Sequence, residues 1–121
     1  MPFEPRPITP EEVAVLRASF AQGEVTRAVS AAVLEALPSL MVVSQCPCGC
    51  ASVDFAEMVT GEPRSQILVD AVAGTPGRDA VGLIVWGHPD AITALEIYDQ
   101  SGGDANKSLP ELASIQAFFP I

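Results

Sequence analysis

The stretch Ala80-Val81-Gly82-Leu83-Ile84-Val85-Trp86-Gly87-His88-Pro89-Asp90-Ala91-Ile92-Thr93-Ala94-Leu95-Glu96-Ile97-Tyr98 decides the fold class. Two runs rich in Val, Ile and Leu flank Gly87-His88-Pro89-Asp90, four residues with the chemistry of a reversal. Connections this short rule out a parallel crossover, which takes a dozen or more residues, so the segment predicts an antiparallel pair of strands, Ala80–Trp86 and Ile92–Tyr98. The first run is apolar on both faces. It predicts a central strand covered on both sides, or on one side by helices and on the other by a partner chain. The second places Ile92, Ala94, Glu96 and Tyr98 on one face and Thr93, Leu95 and Ile97 on the other.

Working outward, Gln66–Ala73 alternates as a strand and Thr75-Pro76-Gly77-Arg78-Asp79 is a turn. Gly61-Glu62-Pro63-Arg64 is another. Ser52–Glu57 alternates with Val53 and Phe55 inward and Ser52 and Asp54 outward, and Leu40–Val43 is a short strand before it. These five strands predict a mostly antiparallel meander in chain order.

Residues 1–8 carry three prolines and predict an extended arm, leaving 9–121 as a single α+β domain. Thr9, Pro10 and Glu12 form a capping box that opens a helix, which Gly23 ends as a left-handed cap. Val25, Ala28, Val29, Ala32, Val33, Ala36 and Leu37 recur at three and four and predict a second helix, stopped by Pro38. Both helices are expected to pack on one face of the sheet. Ser108 with Glu111 predicts a short C-terminal helix, Leu109–Phe119, whose apolar face is Leu112, Ile115, Phe118 and Phe119.

Composition excludes several functions. The chain has 121 residues, 49% hydrophobic, with fifteen acidic and six basic residues for a net charge of −9. That balance repels a phosphate backbone and argues against nucleic acid. It suits a basic protein surface and also keeps an apolar-rich domain soluble. No apolar run reaches the eighteen residues or so of a membrane span, and the proline-rich start lacks the apolar core of a signal peptide. A cytoplasmic protein with reduced cysteines is the expectation.

All three cysteines fall in Cys46-Pro47-Cys48-Gly49-Cys50. Pro47 and Gly49 predict a four-residue turn over Cys46–Gly49, which throws the thiols together. Zinc is one reading, with Cys46, Cys48, Cys50 and the single histidine, His88, as ligands, although C-x-C-x-C lacks the usual C-x-x-C spacing. An iron–sulfur cluster normally takes four cysteines. A redox pair of Cys46 and Cys50 across the turn is a second reading, and a Cys–His site, with Cys48 or Cys50 as nucleophile, His88 as base and Asp90 as orienter, is a third. The plain alternative is three small residues that fit a bend. In a regular meander His88 falls at the opposite end of the sheet from the bend, which counts against both histidine-dependent readings.

Cys48-Gly49-Cys50 leading into Ser52-Val53-Asp54, then Leu95-Glu96-Ile97-Tyr98, then Leu109-Pro110, resembles small uncharacterised bacterial proteins with a C-G-C bend and an L-E-[IV]-Y strand. The resemblance spans roughly residues 40–112 and brings no activity. It implies that bend and strand form one unit, with Cys48, Cys50, Glu96 and Tyr98 as the positions to inspect. A carboxylate such as Glu96 costs energy to bury alone, so a solvated face is expected for it. With no assembled catalytic constellation, the leading functional reading is a non-catalytic protein-interaction domain with a protein partner or a homodimer. Zinc binding at the cysteine bend and a thiol activity there are the alternatives.

Overall fold

The computed structural model describes residues 3–55, 66–99 and 101–119. In chain order the elements are β1 (Arg6–Pro7), α1 (Pro10–Gln22), β2 (Glu24–Val25), α2 (Ala31–Glu35), β3 (Met41–Val42), β4 (Ser44–Gln45), β5 (Val53–Asp54), β6 (Gln66–Ala73), β7 (Val81–His88) and β8 (Ala91–Asp99). Single 3-10 turns occupy Leu37–Ser39, Ala105–Lys107 and Leu112–Ser114. Six strands form one antiparallel sheet in the order β2-β6-β7-β8-β5-β4, and β1 pairs with β3 in a second, two-stranded sheet.

This corrects the expected architecture of two helices on a five-stranded meander. The structure is mostly sheet with one substantial helix, and β5 pairs with β8 instead of its chain neighbour β6. The anticipated second helix dissolves into three pieces. Glu24–Val25 pairs with Asp70–Val69, and the Thr26 N–H donates to Leu68 O at 2.9 Å, so the backbone completes the β6 edge. Ser30 then restarts a helix of five residues by accepting the Val33 N–H, and Pro38 lies in a 3-10 turn. β-Branched Val25, Thr26 and Val29 weaken helix propensity at that point. Of the apolar stripe only Leu37 is fully buried, while Val25 is 43% exposed. The stripe's helical period therefore does not reflect burial.

The C-terminal helix is also replaced. Gln116 exchanges two backbone hydrogen bonds with Val72, at 2.8 and 2.9 Å, and only Leu112–Ser114 turns helically. Ile115 is buried and Phe118 is 67% exposed, so the adjacent rings do not share one covered face. The edge of β6 offers the N–H and the C=O of Val72, and Gln116 satisfies both, so the segment is drawn along the sheet.

The hairpin of β7 and β8 and the helix α1 stand where the residues put them. Gly87 pairs with Ile92 and His88 with Ala91, and Pro89–Asp90 forms the reversal. Leu83, Val85, Leu95 and Ile97 are fully buried or nearly so, packed with Leu16 of α1 in one core. Thr9 caps α1 by accepting the Glu12 N–H at 3.1 Å, and the Glu12 carboxylate takes the Thr9 N–H at 2.9 Å. Gly23 is extended, at φ −82°, and not the left-handed cap expected of it. A Cβ there would meet Ser19 O at 2.6 Å and Val69 Cγ1 at 2.7 Å, so glycine is needed for the close approach of the helix end to β6. The turn expected at Gly61–Arg64 lies outside the described residues, as does the end of the strand expected over Ser52–Glu57.

Glu12 also binds Arg6 through two hydrogen bonds of 2.9 Å, tying the arm to the helix start. Burial pushes the Glu12 carboxyl up, and Arg6 together with the Thr9 amide outweighs that and holds it below the usual carboxylate range. A folded-state pKa below the unfolded one gives stability that is present above the unfolded pKa, about 4.3, and lost as pH falls through the folded value. Glu12→Gln should lose about 2 kcal/mol at pH 7 and less as the medium is acidified below pH 4. Urea unfolding of both proteins at pH 7 and pH 3 measures this, and an equal difference at the two pH values would contradict it.

Candidate metal centre

The cysteine bend closes the hairpin of β4 and β5. As the proline and glycine spacing predicts, Cys46–Gly49 is a turn, with the Gly49 N–H donating to Cys46 O at 3.2 Å and Gly49 at φ +90°. Left-handed backbone at Gly49 swings the chain back so that Cys50 returns beside Cys46. The three Sγ atoms all lie within 4.8 Å of one another, and the Cys50 N–H donates to Cys48 Sγ at 3.4 Å. Thiolates on a tetrahedral zinc sit ~3.8 Å apart, given a Zn–S bond of ~2.3 Å. Closure from the observed spacing takes about 1 Å, within reach of small χ1 rotations on an exposed turn.

Two segments remote in sequence fix the bend. Ser52 Oγ donates to Ile97 O at 3.1 Å and accepts the Ile97 N–H at 2.8 Å, which locks the turn to β8. On the other side the 3-10 turn Ala105–Lys107 lies along it: the Ala51 N–H donates to Asn106 O at 2.8 Å, and Lys107 Nζ donates to Cys48 O at 2.6 Å. The bend is therefore braced from two directions while its outer side stays open. Cys50 is buried, Cys46 half-buried and Cys48 exposed.

The thiols do not titrate alike. Burial pushes the Cys50 thiol up, but the Ser52 hydroxyl, the Cys48 thiol and the Ser52 amide outweigh it and bring Cys50 down to about 7. Cys46 is pushed up to about 11, chiefly because its thiol hydrogen-bonds to Cys48 and also faces Cys50. The buried Cys50 thiol is thus readier to ionise than that of Cys46. A thiolate is the form that ligates a soft cation.

Cys46, Cys48 and Cys50 are brought together and His88 is not. The bend is anchored beside Ile97, whereas His88 pairs with Ala91, six residues back along β8 or roughly 20 Å at the rise of a strand. Among the described residues no histidine or carboxylate joins the three sulfurs. Asp90, in the turn beside His88, is equally remote. The separation holds although the sheet is no simple meander, because β5 lies antiparallel on β8. Glu96 is half-buried, accepting a hydrogen bond from Trp86 Nε1 at 3.0 Å, and Tyr98 is 37% exposed and lies over Gly82.

Ser52, Asn106 and Lys107 were not visible as site residues in the sequence. Lys107 approaches Cys48 across 59 positions, through a loop whose course depends on the pairing of β5 with β8. No local spacing announces it.

The fold and the site together define a small antiparallel-sheet domain that presents three thiols on one braced turn. Comparison with family models, with curated proteins and with solved structures gives no match for the chain. No helix among the described residues is long and apolar enough to cross a membrane.

Proposed function

We propose that this protein binds a thiophilic metal ion, zinc in the first instance, through Cys46, Cys48 and Cys50. The observation that carries the reading is the convergence of all three sulfurs within 4.8 Å on one turn. Three thiolates are a soft donor set that selects Zn(II) or Cu(I) over hard cations. Zinc with three protein ligands keeps a fourth position for water or an exchanging ligand, unlike the closed four-ligand sites that staple folds. Lys107 places a cation beside a centre whose three thiolates leave one net negative charge on bound zinc. Among the described residues Asn106 Oδ1, on the bracing turn, is buried with no hydrogen-bond partner, an acceptor that a water O–H would satisfy.

The arrangement supports binding more directly than catalysis, since no base stands beside the sulfurs among the described residues. Native mass spectrometry of protein purified under mild reduction tests it. One zinc per chain is expected, lost in the Cys46→Ser/Cys48→Ser/Cys50→Ser variant. A metal-free mass that stays unchanged on adding zinc sinks the reading. A loss of two hydrogens in place of a metal adduct would turn the site into a disulfide centre.

Metal binding must also expel protons. With Cys46 near 11, at least its proton leaves on ligation at neutral pH. Apparent zinc affinity should therefore rise at least ~10-fold per pH unit between pH 7.5 and 9. Competition against a chelator of known pH behaviour measures the slope, and a flat profile excludes Cys46 as a ligand.

A further inference from the structure

On the face of the sheet turned away from α1, the register builds a groove of about 470 Å³ next to the cysteine turn. Trp86, Ala94, Asp54 and Ser44 stand side by side across β7, β8, β5 and β4, because Trp86 pairs with Ala94, Ala94 with Asp54, and Asp54 with Ser44. The methyl group of Ala94 leaves a depression between the indole and the Asp54 carboxylate. Glu96, two residues along β8, borders the same depression, and Cys46 lies at its end.

The carboxylates are held in place but not used up. Glu96 Oε1 accepts from Trp86 Nε1, and Asp54 Oδ2 accepts from Ser44 Oγ. Among the described residues no hydrogen bond reaches Glu96 Oε2 or Asp54 Oδ1, and no lysine or arginine lines the groove. Two anchored carboxylates beside an aromatic ring match a guanidinium, whose planar fork donates to carboxylates and stacks on indole. The volume falls within the range of ligand clefts.

We propose that this groove docks an arginine side chain from a basic segment of a protein partner, with the guanidinium between Asp54, Glu96 and Trp86 and the alkyl stem over Ala94. Charge decides the occupant. A two-fold contact of this face with a second copy would bring Asp54 and Glu96 against their own kind on a chain of net charge −9, whereas a basic segment is drawn toward it. The proposal stands on the sheet register and is independent of metal at the cysteines.

Trp86 is the single tryptophan, so its fluorescence reports the groove alone. The test titrates reduced protein, with a chelator present, with a nine-residue basic peptide carrying one central arginine, with the same peptide carrying citrulline, and with arginine amide. Saturable change with the arginine peptide is expected, at least ~10-fold weaker with citrulline, with arginine amide, and on Glu96→Gln or Ala94→Leu, at ~1.4 kcal/mol per factor of ten. Circular dichroism establishes that each variant is folded, and Asp54→Asn replaces Glu96→Gln should the latter unfold. No saturable change, equal binding of the citrulline peptide, or undiminished binding by Ala94→Leu overturns the proposal. Arginine amide binding as tightly as the peptide overturns the partner segment in favour of a small-molecule cation.

Discussion

Zinc at a hundredfold excess over its Kd is expected to raise the melting temperature of the reduced protein by about 10 °C. Binding only to the folded state at that ratio adds about 2.7 kcal/mol. For a domain of this length each kcal/mol corresponds to ~4 °C. Cys50→Ser should abolish the shift. Cys50 is the buried sulfur and the one whose pKa is lowered, so it supplies the first thiolate, and its loss leaves two sulfurs on a turn. Without zinc the same variant should melt within a few degrees of the parent, because a hydroxyl fits the space of a thiol that makes no cross-link. Differential scanning calorimetry of both proteins, with and without zinc, checks the pair of expectations. A shift that persists in Cys50→Ser places the metal elsewhere.

Gly23→Ala should destabilise the domain by about 3 kcal/mol, near 10 °C in melting temperature. The backbone there is ordinary extended chain, so conformational strain is not the cause. The added methyl would stand 2.6 Å from Ser19 O, 2.7 Å from Val69 Cγ1 and 2.9 Å from Ala71 Cβ. Those neighbours cannot give way singly. Ser19 closes the helix by accepting the Gly23 N–H at 2.8 Å, and Val69 and Ala71 are fully buried in the sheet. Relief would push the end of α1 off β6 and open the core around Leu16. By contrast Gly77→Ala, at a turn with open space around it, should cost about 1 kcal/mol from its positive φ alone. Urea denaturation of the two variants separates packing from backbone effects, and equal losses would mean that α1 does not rest on β6 as described.

The parts legible in the sequence are those made by neighbours in the chain. The capping box at Thr9, the β7–β8 hairpin around Pro89–Asp90, the turn at Cys46–Gly49 and the inward side of Val53 and Phe55 each follow from residues a few positions apart. What was missed is non-local. Val53 meets Leu95 and Val72 meets Gln116 through backbone hydrogen bonds, which carry no side-chain signature. The alanine-rich period over Val25–Leu37 resembles a buried helix although most of it is exposed, because alanine satisfies an apolar pattern whichever way it faces.

The same limit applies to the site. Clustering of the sulfurs could be argued from Pro47 and Gly49, since a turn brings thiols together. The uneven acidity of Cys46 and Cys50 could not, because it comes from the hydrogen bonds that Ser52 and Cys48 make to Cys50 and from the one between Cys48 and Cys46. Nor could the groove, whose walls Trp86 and Asp54 face each other across Ala94 only once three strands are in register.

X-ray absorption at the zinc K-edge on the reduced, zinc-loaded protein tests the central claim most directly, because it counts the sulfurs on the metal. Three sulfur scatterers at ~2.3 Å with one lighter atom are expected from Cys46, Cys48, Cys50 and a water. A first shell of nitrogen and oxygen alone would show that the metal does not sit on the cysteine turn, and the account of the site would fall.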